Sequence, residues 1–447
     1  MRILWLRNTV ELNQFTGGKQ MKKLTVIAVA VAAIMLFAIP AMALDADFGG
    51  AYRVRGFYMD NSDLDDDVGA SDAFMDMRLR LGADFKVTDN LKLTIGLDAL
   101  DDKVWGQNQA VAGQATTGSN LSFDKCYITA KFGIGELIIG RFTTGDFGTL
   151  FLDSGEEHKG DQIEWHLPEM EGVDLYLFYE KITEADKDAA SPPVGQVSDQ
   201  DEDDYGIGVV YKAEGVDAGI ELTYRNDKSA APATDVQTYR WNPYVVAKSG
   251  PVNLEGELGY VHGDVDKTAP AVDQDIKMLA YNVAVSGDAG PVNVGVGYAF
   301  SSGDEDGWGT GDIEAMPFAE DWQPLLILTG YTNDTTLGQV GNLNGNNSAN
   351  TSQLGFKVIY VTASFAPTEN VTLSFIGAQA EADETGAYGA NIDDEVGYEY
   401  DLGVTVKLMD NLTYNATIGF LDAGDIWSDV DDQDDTYTFL HSLVFSF

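Results

Sequence analysis

The segment FMDMRLRLGADFKV, residues 74–87, alternates without a break. Met75, Met77, Leu79, Leu81, Ala83, Phe85 and Val87 fall on one side, and Asp76, Arg78, Arg80, Asp84 and Lys86 on the other. A period of two is the repeat of an extended strand whose two faces meet different surroundings. The scheme recurs in VNVGVGYAF (292–300) and in VGYEYDLGVTVKL (396–408), where Tyr398, Tyr400, Leu402, Val404, Val406 and Leu408 share a face. No apolar repeat of helical period and useful length occurs after residue 43. The chain therefore has to solve its folding problem with strands.

The connections between these segments alternate too, short then long. Short ones include TDN (88–90), GIG (133–135), AEG (213–215) and MDN (409–411); long ones, acidic and rich in Gly, Ser and Asn, include 60–72, 102–120, 145–160, 185–203 and 301–350. Eight short turns and nine long loops separate eighteen strands, with sixteen as the alternative count. An even number of antiparallel strands with short turns at one end and long loops at the other is the pattern of a membrane-spanning up-and-down β-barrel. Hydrocarbon offers no hydrogen-bond partner, so a spanning sheet must close on itself, apolar outside and polar inside. That requirement explains a chain that crosses a membrane while its hydrophobic fraction is only 44%. Aromatic residues at strand ends (Tyr52, Tyr58, Tyr211, Trp241, Tyr260, Tyr298) fit interfacial girdles.

One long apolar run exists, within 21–43. Lys22 and Lys23 precede it, and Ala41, Met42 and Ala43 close it as an A-x-A cleavage site. This predicts a secretory signal peptide at 21–43, a non-native extension at 1–20 and a barrel over 44–447. The single cysteine, Cys126, allows no internal disulfide and is expected on the lipid face beside Ile128 and Ala130. A formal net charge of -45 excludes a simple nucleic-acid binder.

The chain ends on HSLVFSF, with Leu443, Phe445 and Phe447 on one face. Closure makes this last strand pair with the first, near 48–59, and a frayed end would leave polar backbone facing lipid. The parity of Phe439 and Leu443 also points His441 at lipid, an awkward place that a bulge or an interfacial position would relieve.

Strand parity gathers a basic wall inside the barrel: Arg53 and Arg55, Arg78 and Arg80, Lys92, Lys125 and Lys131, and Arg141. Like charges this close need a compensating anion source. The third long loop, 145–160, carries Asp146, Asp153, Glu156 and Glu157, and its FGTLFL stretch would sit poorly in open water. Folded inward, it would set a transverse field across a narrow pore.

These residues resemble the general bacterial porins, in which the loop after the fifth strand folds inward opposite an arginine cluster. The segment FSSGDEDGWGTGDIEAMPFAEDWQPL (300–325) is similar to a loop of eighteen-stranded alginate-export-type channels. The terminal strand resembles the signal read by the barrel-assembly machinery of Gram-negative outer membranes. The resemblances imply a porin in the outer membrane, in contact with lipid and lipopolysaccharide, assembled by that machinery, passing small hydrophilic solutes or ions, and possible as a homotrimer. Anion against cation preference stays open at this stage. Alternatives are a substrate-specific channel or exporter for a carbohydrate or organic acid, with Tyr176, Phe178 and Tyr244 as an aromatic track, and a surface-structural or adhesion barrel. No G-x-S-x-G, H-E-x-x-H or phosphate-cradling glycine loop is present, so no enzyme, cofactor or metal is expected.

Overall fold

The computed structural model describes residues 45–61, 64, 71–106, 121–152, 158–185, 200–229, 234–268, 271–305, 311–316, 322–330, 354–385, 393–427 and 434–447. The expected signal peptide and N-terminal extension lie outside them. Ala46–Phe447 forms one compact unit.

Eighteen strands follow one another: β1 (Asp45–Asp60), β2 (Asp72–Thr88), β3 (Leu91–Val104), β4 (Leu121–Phe132), β5 (Gly135–Thr143), β6 (Lys159–His166), β7 (Val173–Thr183), β8 (Glu202–Ala213), β9 (Val216–Asp227), β10 (Thr234–Ser249), β11 (Val252–Lys267), β12 (Gln274–Ala289), β13 (Val292–Ser301), β14 (Phe356–Thr368), β15 (Val371–Glu381), β16 (Glu395–Met409), β17 (Leu412–Ala423) and β18 (Thr436–Ser446). Each pairs antiparallel with the next, and β1 pairs with β18, so the sheet closes into a barrel. Among the described residues no helix is long and apolar enough to cross a membrane; the crossing is made by strands.

The seam runs to the final residue. Ala51 pairs with Ser446, and the Gly50 and Phe447 backbones exchange both hydrogen bonds at 3.0 Å. A side chain at Gly50 would meet the Arg80 carbonyl at 2.6 Å and the Phe447 ring at 2.8 Å, so glycine is what lets the last strand close in. Val54 faces Leu443 and Tyr52 faces Phe445 across the seam, on the side opposite Arg53 and Arg55. His441 does face outward, and the register through it is unbroken, so no bulge relieves it. It lies over Gly56, its cross-strand partner, and stacks on Phe439 at 5.6 Å.

Aromatic rings form a belt on the outside near the long-loop end. Tyr179, Tyr205, Tyr224, Tyr239 and His262 follow one another at centroid spacings of 5.3, 6.4, 5.1 and 5.4 Å. The apolar core lies inside the barrel. There, inward residues of β11–β17 such as Val261, Ile276, Phe356, Val358, Val396 and Leu421 pack against Phe151, Leu152, Trp322, Leu325 and Leu328 from the loops.

Candidate functional site

The arginines of β1 and β2 face the lumen and find their counter-charges on their own wall. Arg55 Nε donates to both Asp76 oxygens at 3.0 Å, and its Nη2 lies 3.1 Å from Asp102. Arg53 also donates to Asp102. Arg80 Nε lies 3.1 Å from Asp98, and Arg78 is 3.9 Å from Asp101. A register break between β2 and β3 places these aspartates: Met77 pairs with Lys103 and Leu79 with Ala99, and Leu100 and Asp102 take positive φ of 55° and 40°. The resulting bulge re-aims Asp102 toward the two arginines. Nearer the short turns, Lys92 pairs with Asp84 at 3.2 Å and Lys131 with Glu136 at 3.3 Å. Lys125 shares the inner face with Tyr127 and lies over Gly96.

Arg141 is not on this wall. It pairs directly with Cys126 and with Asp161, and Ile128 pairs with Ile139 on the same outer face. The reason is the turn. The GIG spacing predicts a three-residue turn at 133–135, but Phe132 pairs with Gly135, leaving two residues in the turn. One residue of slip moves every side chain of a strand to the opposite face. Arg141 therefore ion-pairs with Asp161 at 2.8 Å on the outside, and Lys181 with Asp203 at 2.9 Å beside it, next to the aromatic belt.

The loop after β5 enters the barrel. Glu257 of β11, 3% exposed, holds it: Oε2 accepts from Thr149 N at 3.0 Å, Thr149 Oγ1 at 2.5 Å and Leu152 N at 3.3 Å, while Oε1 accepts from Asn242 Nδ2 at 2.8 Å. Gly148, at φ +104°, sits where a side chain would strike that carboxylate. Phe151 and Leu152 are buried, and Phe151 meets Trp322 edge-on at 5.1 Å. Leu150 stays exposed. Asp146 is open to the lumen, and its carboxyl is pushed up from its ordinary value by enclosure within the barrel and then by Glu164. Asp153, Glu156 and Glu157 lie outside the described residues.

A second inward segment, 322–330, was not legible in the sequence as a lumen element. Leu326 N donates to Asp401 at 2.8 Å, and Ile327 N and Leu328 N donate to the two oxygens of Glu399 at 2.6 and 2.8 Å. Glu399 is fully buried. Acidic residues in mid-strand at inward positions (Glu257, Glu399, Asp401) were the one available signal for these anchors.

With the core gathered against β11–β17, a cavity of about 850 Å³ lies between the inward loop and β6–β10. Among the described residues, nine lining side chains are carboxylates, including Asp146, Glu164, Glu180, Asp204, Asp217 and Glu221, and three are Lys or Arg. Arg225 is held by Asp204 through two bonds of 2.8 Å. His166 lies between Asp174, at 2.9 Å, and Glu164. Tyr176, Phe178 and Tyr244 all line the cavity together with Phe147 of the loop. Their rings lie against glycines on the neighbouring strands: Tyr176 covers Gly208, Phe178 covers Gly206 and Tyr244 covers Gly219. The Tyr176 hydroxyl donates to Glu221 and the Tyr244 hydroxyl to Asp217, each at 2.6 Å.

A family model described as Gram-negative porin matches residues 30–319. No curated protein sequence matches the chain. Among solved structures, OpdL of Pseudomonas aeruginosa is similar at 11% identity, covering 90% of this chain and 99% of the other with a TM-score of 0.52. OccK8 (OprE) of Pseudomonas aeruginosa is similar at 11%, 90% and 98%, with a TM-score of 0.51. A BenF-like porin from Pseudomonas fluorescens Pf-5 is similar at 14%, 90% and 99%, with a TM-score of 0.50. At such identities the likeness concerns the fold.

Proposed function

The chain belongs to the Gram-negative porins and is thus an outer-membrane channel for small solutes; we propose that solutes cross it passively along the cavity beside β6–β10, and that this path favours cations. The observation that carries the reading is the length of the cavity. Asp227 at the long-loop end of β9 and Asp217 at its short-turn end line the same space. The strand between them extends about 34 Å. A tilt of about 40° leaves roughly 26 Å of height, close to the thickness of the apolar band of such barrels.

The field across this path runs from the arginines of β1 and β2 to the carboxylates of β6–β9 and Asp146 of the inward loop. Because Asp76, Asp98 and Asp102 already compensate the arginines, the acidic side dominates, and an excess of carboxylates over cationic side chains beside a pore attracts cations. Lipopolysaccharide would meet the outward ion pairs Arg141–Asp161 and Lys181–Asp203, and Leu443, Phe445 and Phe447 would present the assembly signal. Planar-bilayer recording of the purified chain tests the reading. Ohmic conductance with cation preference supports it. A lumen that carries no current would instead favour a surface-structural or adhesion barrel.

A substrate-specific channel is the second reading, favoured by one observation: Tyr176, Phe178 and Tyr244 line the same cavity. Saturable flux of one solute class separates it from a general pore.

A further inference from the structure

We propose that the cavity contains a subsite for small organic ammonium ions, amines that carry an apolar body, formed by Phe147, Tyr176 and Tyr244 with Glu221 and Asp217. The inference deepens the channel reading and rests on it. Three rings from three parts of the chain converge in the cavity. Phe147, on the inward loop, meets Tyr244 of β10 nearly perpendicular at 5.1 Å and Tyr176 of β7 at 6.5 Å. Crossed rings present both faces and edges to the same space, and an aromatic face attracts a cation through its quadrupole.

The hydroxyl geometry sets the sign of the solute. Both tyrosines give their protons to carboxylates, Tyr176 to Glu221 and Tyr244 to Asp217. The protons that would greet an anion or a sugar oxygen are already engaged, so the ring surface offers electron density and acceptors. An ammonium group can use both, with its N–H donors on carboxylate oxygens and its apolar body on a ring. The loop that carries Phe147 is fixed by Glu257 through Thr149 and Leu152, so the rings are organised before a solute arrives. A cavity of about 850 Å³ is also far larger than a bare ion needs and falls within the size range of small-molecule sites.

The test uses the purified full chain in planar bilayers, with KCl current recorded before any probe is added. Phenylethylammonium is then titrated against its neutral analogue 2-phenylethanol and its anionic analogue phenylacetate. The expected result is saturable current block by phenylethylammonium and little by the other two. In the Phe147→Leu, Tyr244→Leu double variant the half-blocking concentration is expected to rise by about tenfold, the order of a desolvated cation–π contact. Equal block by all three probes, or block unchanged in the variant, overturns the subsite while leaving the channel intact. If the double variant does not fold, the comparison of the three probes on the unmodified chain decides alone. Absence of KCl current overturns the channel reading, and the subsite with it.

Discussion

At the scale of single residues, two carboxylates carry most of the argument. Glu257 is buried and accepts four hydrogen bonds, three of them from the inward loop. Bonds to a charged acceptor contribute about 1.5–3 kcal/mol each when lost singly. Glu257→Ala is expected to release the loop without opening the sheet. Conductance should rise, limited proteolysis at 145–160 should speed up, and heat-modifiable mobility should persist. Unchanged conductance would remove the constriction role of the loop. Asp146 supplies the pH response. Its carboxyl is raised by enclosure and then by Glu164, so the folded protein favours the protonated form. For stability, the contribution of this group is greatest below the ordinary carboxyl range and is lost as pH rises through its raised value. For conduction, Asp146 neutralises before carboxylates at their ordinary value do. Cation preference is therefore expected to begin falling, as pH is lowered, before the ordinary carboxyl range is reached, and Asp146→Asn should flatten part of that slope. An identical pH profile in the variant would assign the response to other groups. Arg141 shows where residue-scale reading fails. Its face depends on whether the turn holds two residues or three, and the sequence GIG permits both. Asp76 and Asp98 were, by contrast, within reach of the same parity that found Arg78 and Arg80, whereas the placing of Asp101 and Asp102 depends on the bulge.

At the scale of elements, the strands were legible because each answers to lipid on one side and water on the other, a demand written locally in every ten residues. All eighteen and their pairing order followed from that pattern and from the short and long connections. The inward segments were legible only in part. FGTLFL signalled burial, and Phe151 and Leu152 are buried, but the acceptor that holds the loop lies more than a hundred residues away on β11. The attachment of 322–330 to Glu399 and Asp401 is equally remote in sequence. Such contacts have no local period to read. The closing strand gives this scale its own test. Deleting Phe447 removes two backbone hydrogen bonds to Gly50, about 1 kcal/mol each, together with its ring contact to Phe445 at 5.5 Å. The folded barrel should unfold at lower temperature or urea concentration in detergent, and refolding yield should drop. A variant as stable as the parent would mean that the seam is held elsewhere.

At the scale of the whole molecule, the question is which charge a solute meets. The chain carries a formal charge of -45, yet charge on distant loops is screened within about 10 Å in ordinary salt, so the lumen decides. On one side the arginines of β1 and β2 are tied to Asp76, Asp98, Asp101 and Asp102. On the other, the described residues of the cavity lining include nine carboxylates against three Lys or Arg. The net field should draw cations, and in a KCl gradient of about tenfold the reversal potential should take the potassium sign, within the limit of about 59 mV for one charge. Replacing Arg78 and Arg80 together by Ala makes the two accounts of the basic wall diverge. If the arginines form an anion-attracting face, their removal weakens anion passage. If they chiefly neutralise their own wall, their removal takes the arginine from Asp98 and withdraws two positive charges from the lumen. Both accounts move the reversal potential toward potassium, but they differ in salt dependence. Exposed uncompensated charge is screened as ionic strength rises, whereas a change confined to low-exposure pairs such as Arg80–Asp98 persists. The expected outcome is a shift toward potassium that survives in molar salt. A variant with unaltered conductance and ion preference would show that the arginines do not line the conducting path, and the field assigned to this barrel would then have to come from the acidic cavity alone.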